Sequence, residues 1–596
     1  MKHRGLVQFF MFMFVWQIVS AQKSDSEEIT VPELYEHVAF LASDSLKGRK
    51  PGTEEGRIAA EYIRKYIEGN GLTLLGDRGF QYFEVVTSVK MGENNHFSFD
   101  EFKGVPGEDF TPLSFSGNNS IYATIGFVGY GFDFDSDSLS WHDYTGMDVT
   151  GKWVLVLRGD PEFDKSNSVF LPFSSPRKKA LVAKDKGAGG VIFVSGEKVD
   201  EKDDLMDLSY DYSRTDMGIP VLHITRDVAN RLLKSKNQTI GDLENQLNQT
   251  RTPNSFTIDI KTKAATEILK NKVTTQNVVG IVQGNDPQLK DEFIVLGAHY
   301  DHLGLGGPGS GSRRPDTTAV HNGADDNGSG VAAILEIIEK LMANRLSLKC
   351  SIVFIAFGAE EMGTIGSKHF TDNPPIDLKQ IKMMINLDMI GRLDVETKTL
   401  SVSGSGTAVE LSDIVTEHVE NHALKATYSP EGYGPSDHAS FYAKDIPVLS
   451  FMTSMHEDYH TPDDDVGRLN FEGQKAIADL IYSIIIDIAH RQETLAFQEA
   501  GPKTRPSMRR RFKVTLGIMP DVAATDIKGL RANVVIPGRP AAHAGMNKGD
   551  IIVAMEGKPV NDIYEYMHRL SDFRPGQRIS IEVLRNGEKV ILVVEL

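Results

Sequence analysis

Between about residues 275 and 490 the chain alternates two textures that few folds satisfy together. The runs "EFIVLGAH", "SIVFIAFGAE", "MMINLDMIG" and "IPVLSFMT" are almost continuously apolar, while 328–344 and 469–490 read as amphipathic helices. A strand with no polar face must be covered on both sides, so the pattern predicts an α/β domain with a buried, mostly parallel sheet flanked by helices. The segment 31–70 also reads as helical. In it Ile58, Ala59, Tyr62, Ile63, Tyr66 and Ile67 recur at helical spacing, with Thr53 as the cap and Gly69 as the stop.

At 596 residues the chain exceeds a single core, and its texture changes twice. From about 106 to 260 short strands such as "IYATIGFVGYGF", "GKWVLVLRGD", "GGVIFVSG" and "IPVLHI" surround the single helix "SPRKKALVAKDKGAG", which predicts a compact strand-rich module. After "QEAGPKTRPSMRRR", which reads as a linker, 512–596 forms a small β-rich unit with one helix, "NDIYEYMHRLSD".

The start, "MKHRGLVQFFMFMFVWQIVSAQ", has a basic head, an apolar core and a small-residue cleavage site, so residues 1–21 are expected to be a secretory signal peptide. No later stretch reaches 18 apolar residues, and no membrane span is expected once that segment is removed. Cys350 is the sole cysteine, so no internal disulfide can form, which fits a bacterial periplasm or cell exterior. The net charge of −18 excludes a nucleic-acid partner, which needs a basic surface.

The chemistry gathers where the apolar strands end. "FIVLGAHYDH" ends in His299 and Asp301, "SIVFIAFGAEE" in Glu360 and Glu361, and "MMINLDMIG" around Asp388; His460 follows "IPVLSFMTS". The loop "HNGADDNGSG" brings Asp325 and Asp326 to the start of the helix at 328. Ligands of open parallel sheets bind beyond the carboxyl ends of the strands, so these stretches converge on one crevice. His, Asp and Glu donors without cysteine suit zinc or a similar divalent metal. Counting His299, Asp325 or Asp326, Glu360 or Glu361, Asp388 and His460 gives five ligands, more than one tetrahedral ion needs, and points to two metals sharing a carboxylate. Adjacent side chains leave an extended segment in opposite directions, so one of Glu360 and Glu361 can ligate while the other faces water as a general base.

Other patterns fail on context. "HEDYH" (456–460) matches a helical zinc motif, but Pro462 biases Thr461 away from helix, so only His460 is expected to ligate. "GLGGPG" (304–309) lacks the strand–turn–helix setting of a dinucleotide site. In "PSDHAS", the consecutive Ser436, Asp437 and His438 cannot converge as a catalytic relay.

Taken in order, "GAHYDH", "GADDNGSG", "FGAEEMGTIGS", "NLDMIGR" and "YHTPDDD" resemble the di-zinc aminopeptidases of the bacterial leucyl aminopeptidase type. That family also contains glutamate carboxypeptidase, glutaminyl cyclase and the transferrin receptor ectodomain. The resemblance implies the zinc-peptidase fold over 27–105 and 262–495, two zinc ions and peptide substrates. By it, Asp326 bridges the metals, His299 and Asp388 complete one site, and Glu361 and His460 complete the other. Glu360 is then the general base, Asp301 orients His299, the Tyr459 hydroxyl helps stabilise the oxyanion, and the Asp326–Asn327 peptide is cis.

Residues 106–261, with "GFVGYGF" and "KALVAKDKGAGGVIFVSG", resemble a protease-associated (PA) domain inserted in the peptidase, of a kind thought to influence substrate access. After a linker at 496–511, residues 512–596 resemble a bacterial-protease PDZ domain. There Leu516, Gly517 and Ile518 would floor a groove for a peptide or protein C-terminus. The implied function is an exported aminopeptidase. The alternatives are a glutamate-carboxypeptidase-like enzyme and a non-catalytic receptor or scaffold of the same fold.

Overall fold

The computed structural model describes residues 28–136, 139–163, 165, 168–208, 210, 216–503, 514–520, 528–561, 563–571 and 573–596. The expected signal peptide lies outside the described residues. Among them no helix is long and apolar enough to cross a membrane.

The first sheet is built from β1 (Phe80–Met91), β2 (Ile268–Val282), β3 (Phe293–His299), β4 (Ser351–Phe357), β5 (Ile381–Leu387), β6 (Thr399–Ser403), β7 (Lys425–Ser429) and β8 (Val448–Met452), with the short strand Thr73–Leu74 at one edge. Across the sheet the order is Thr73–Leu74, β2, β4, β3, β5, β8, β6, β7, and β1 pairs along β2. The central four, β4, β3, β5 and β8, run parallel, whereas β2 and β6 join them antiparallel. Every residue of β3, β4 and β5 is buried, as unbroken apolar strands require.

One face carries α1 (Val31–Leu41), α2 (Glu54–Gly69), α3 (Gly330–Ala343) and α4 (Phe471–His490), packed into one apolar cluster with the sheet. Thr30, Thr53 and Asn470 cap α1, α2 and α4 through their side chains. The opposite face is closed by Phe357, Phe370, Phe441 and Tyr442.

β1 and β2 continue as a two-stranded ribbon, and the chain crosses on it into a second sheet. That sheet runs Phe102–Lys103, His96–Phe99, Ser255–Thr266, Asn119–Val128, Trp153–Leu157, Gly190–Val194, Val221–Ile224, Phe110–Pro112. The strands at 96–103 therefore belong to the insert, ahead of the expected boundary at 106, and its last strand runs past 261 to Thr266. Besides the expected helix, Pro176–Asp185, the insert contains Arg226–Leu233 and Ile240–Thr250. The first buries Val228, Ala229, Leu232 and Leu233 along one stripe, and a Thr239–Asp242 capping box starts the second.

The expected linker is anchored at its start. Phe497 packs beside Tyr442, and the Ala500 amide donates to the Tyr442 hydroxyl at 2.8 Å. Residues 504–511 lie outside the described ones. The third sheet orders Ile518–Pro520, Leu530–Val535, Ile551–Met555, Arg578–Arg585 and Glu588–Glu595 around its own core, with helix Ile563–Ser571.

Candidate active site and metal centre

The turn at Gly323–Gly330 connects the crevice to α3, and its side chains are spent on fixing its own shape. Gly323 sits at φ +58, where an added Cβ would fall 2.2 Å from the Asp326 carbonyl oxygen. The Asp326–Asn327 peptide is cis. Asn327 donates to the Leu387 carbonyl at 2.9 Å and accepts from the Gly330 and Met389 amides at 3.0 and 3.2 Å, which ties the turn to the end of β5. Asp464 Oδ2 accepts from the Asp325 and Asp326 amides, both at 3.0 Å. Asp325, for which sequence reasoning left the role open, braces the turn. It accepts from the Gly391 amide at 2.7 Å and contacts His456 Nε2 at 3.1 Å.

So held, the two carboxylate oxygens of Asp326 face different histidines. Oδ1 lies 3.3 Å from His299 Nε2, which is itself 3.4 Å from Asp388 Oδ1. Oδ2 lies 3.1 Å from His460 Nε2, itself 3.1 Å from Glu361 Oε2. The five side chains expected as ligands therefore form two groups joined through Asp326. The carboxylates outnumber the imidazoles here, and their field overcomes the cost of burial. Asp388, Asp326 and Glu360 hold His299 well above the usual histidine range, and Glu361 with Asp326 lifts His460 to about 11. A site that draws positive charge so strongly, with oxygen and imidazole donors, fits a divalent metal of the zinc type, and the groups His299–Asp326–Asp388 and His302–Asp326–Glu361 each lie close enough to hold an ion.

Glu360 ends up beside this cluster. Burial first, then the charges of Asp437, Glu361 and Asp388, push its carboxyl well above the usual range despite His299. Tyr459 stacks on the His460 ring at 3.8 Å, and burial among Asp326, Glu361 and Glu360 keeps its hydroxyl protonated.

Asp301 departs from its expected role. Its carboxylate is 4.0 Å from His299 Nδ1, beyond a hydrogen bond, and the nitrogen instead meets the Asp301 backbone carbonyl at 3.2 Å. The carboxylate accepts from the Glu360 amide at 3.0 Å and, longer, from the Glu361 amide at 3.4 Å, so it positions the glutamate pair. Two residues past His299, its own carbonyl reaches the ring and frees the side chain for the neighbouring strand end.

Two residues at the centre escaped sequence reasoning. His302, fully buried, places Nδ1 2.7 Å from Glu361 Oε1. Arg49, also buried, donates to the carbonyls of Leu41, Tyr300, Asn322 and Gly323, and so joins α1, the His299 loop and the Asp326 turn. His302 is visible as the final residue of "GAHYDH"; nothing local marks Arg49. His456 points to Asp325, so the two histidines of "HEDYH" serve different partners. A cavity of about 310 Å³ opens beside Glu361 and His302, walled by Lys50, Val86, Met362 and, from the insert, Tyr210.

In the third domain Leu516 is buried in the core, so its backbone alone is available to a groove. Gly517 has φ +73, and a Cβ there would strike the Arg539 side chain at 2.1 Å. Ile518 begins a strand that pairs on one side only among the described residues. The next residue, Met519, meets Arg313 across the domains, Sδ to Nη1 at 3.6 Å.

An α/β domain whose strand ends gather acid-and-imidazole clusters around one shared carboxylate has the architecture of a metallohydrolase. Residues 277–485 match the model of peptidase family M28, 117–232 that of the PA domain and 513–596 that of the PDZ domain, so the chain carries an M28 peptidase domain, a PA domain and a PDZ domain. Aminopeptidase YwaD of Bacillus subtilis is 27% identical over 59% of this chain and 65% of its own length. An aminopeptidase of Pseudomonas aeruginosa is 28% identical over 48% of this chain and 43% of its own. The match thus spans less than two thirds of these relatives. Among solved structures, an aminopeptidase from Aneurinibacillus sp. strain AM-1 aligns over 80% of this chain and 98% of its own at 20% identity, with a TM-score of 0.46.

Proposed function

We propose that the protein is an exported zinc-dependent aminopeptidase. The observation that carries this reading is the splitting of Asp326, one oxygen toward His299 and Asp388, the other toward His460 and Glu361. Those five residues would hold two zinc ions, which supply Lewis-acid polarisation of a carbonyl and acidification of water. Glu360, its carboxyl raised well above the usual carboxylate range by burial and by the neighbouring acids, takes the proton of the attacking water and returns it to the leaving amine. The Tyr459 hydroxyl donates to the carbonyl oxygen as negative charge develops there. Asp301 keeps Glu360 and Glu361 in register through their amides. The cavity beside Glu361 would receive the substrate chain, and the open edge at Ile518 would take a peptide strand or C-terminus. Export rests on residues 1–21.

A glutamate-carboxypeptidase-like enzyme would use the same centre, so substrate choice decides between them. Cleavage of a leucyl-nitroanilide but not of an N-acetylated dipeptide supports the aminopeptidase; the opposite preference refutes it. Inertness towards both, in protein that holds zinc, would favour a receptor or scaffold.

A further inference from the structure

We propose that His302 is a positioning residue for Glu361: it engages one carboxylate oxygen and leaves the other to face the centre shared with His460 and Asp326. The inference rests on the proposal above that Glu361 is a metal ligand. His302 Nδ1 lies 2.7 Å from Glu361 Oε1, while Glu361 Oε2 lies 3.1 Å from His460 Nε2, so the two oxygens have separate partners. A carboxylate offered to a cation has no proton to give, so Nδ1 carries the hydrogen and donates it. A protonated ring nitrogen has no lone pair for a metal. That separates positioning from ligation at Nδ1, the ring nitrogen that faces Asp326 and Glu361, although His302 falls in the same group as those two residues. Nε2 keeps its lone pair and has no hydrogen-bond partner among the described residues. The contact to Asp326 Oδ2, at 3.9 Å, is too long to compete.

The ring's place is built. Its side chain has no exposure, and it meets the His460 ring edge-on at 5.8 Å. A Cβ on Gly323 would come within 2.6 Å of ring atoms Cγ and Cδ2, so the glycine of "HNGADD" makes room for this histidine. Arg49 clamps the backbone on both sides of the ring, at Tyr300 O (2.8 Å) and at Asn322 O and Gly323 O (2.6 and 3.0 Å). Partners of this kind fix the orientation of a ligand, and their loss costs about 10–100-fold in metal affinity or activity.

The test measures zinc affinity of the full chain with a competing chromophoric chelator, in two variants that divide the ring from its donor. His302→Phe keeps the ring volume without the hydrogen bond. His302→Asn keeps a donor near the Nδ1 position without the ring. The expected result is one zinc weakened about 10–100-fold in His302→Phe with the other unchanged, and His302→Asn within a few-fold of wild type. Wild-type affinity in His302→Phe overturns the inference, as does a loss in His302→Asn equal to or greater than that in His302→Phe. A wild-type chain that binds two zinc ions but cleaves no aminoacyl substrate overturns the aminopeptidase reading and leaves the affinity contrast standing. A chain that binds no zinc overturns both.

Discussion

Replacing Arg49 by methionine should unfold the peptidase domain well below the wild-type temperature, because the buried guanidinium ties three separate backbone segments together. It donates to four buried carbonyls, those of Leu41, Tyr300, Asn322 and Gly323. Each orphaned carbonyl costs about 1–3 kcal/mol. Against this, methionine removes the cost of burying a cation. Burial pulls the guanidinium from 12.5 to about 10 despite help from Asp326, Asp301, Asp464 and Glu361. At about 1.4 kcal/mol per tenfold, that cost is roughly 3 kcal/mol. The hydrogen-bond loss wins, leaving a net destabilisation of about 5 kcal/mol. For domains of this order each kcal/mol moves the midpoint by about 2–4 °C, so calorimetry of the full chain should show the transition lowered by about 10–20 °C. Arg49→Lys, with three donors on one nitrogen, should recover only part of it. An Arg49→Met midpoint within about 2 °C of wild type would show that the four carbonyls do not depend on the guanidinium.

Two further perturbations act on the proposed base and on the PDZ domain. Glu360→Gln should lower kcat by at least about 100-fold while zinc content and melting stay at wild-type values, and unchanged turnover would remove Glu360 from the mechanism. In the PDZ domain, Asp550 accepts from Arg585 at 2.7 and 2.9 Å. Burial raises this carboxyl, but the Arg585 fork outweighs it and holds the group below its ordinary 3.8. A depressed folded value gives stability that is present above pH about 4 and lost as pH falls through the folded value. Asp550→Asn should therefore cost about 1 kcal/mol at neutral pH, discounted for the solvent at Arg585, and flatten the acid limb of the melting curve.

What could be read from the sequence followed burial and residue type. Strands β3, β4 and β5 show as unbroken apolar runs because both faces are covered, and the residues that end them stand out as the first polar groups afterwards. That places His299, Glu360, Glu361 and Asp388 without any coordinates. What escaped depends on backbone partners or on near-identical neighbours. Arg49 acts on carbonyls, which carry no residue signature, some 250 positions along the chain at Tyr300. Asp464, which holds the Asp326 turn, is the middle of three consecutive aspartates that composition does not distinguish. Asp301 was expected to orient His299, but only the fold shows its carbonyl doing so while its carboxylate serves Glu360. The insert begins earlier than its change of texture because the β1–β2 ribbon carries the chain smoothly into the second sheet.

In the proposed function Asp326 would be shared by two zinc ions in one peptide-cleaving centre. The most direct test of that sharing is a zinc titration of the chelator-stripped protein, following hydrolysis of leucyl-nitroanilide as equivalents are added. No turnover is expected without metal, and full activity is expected at two zinc ions per chain. Activity that survives complete metal removal, or that saturates at a single equivalent, would contradict the two-zinc centre.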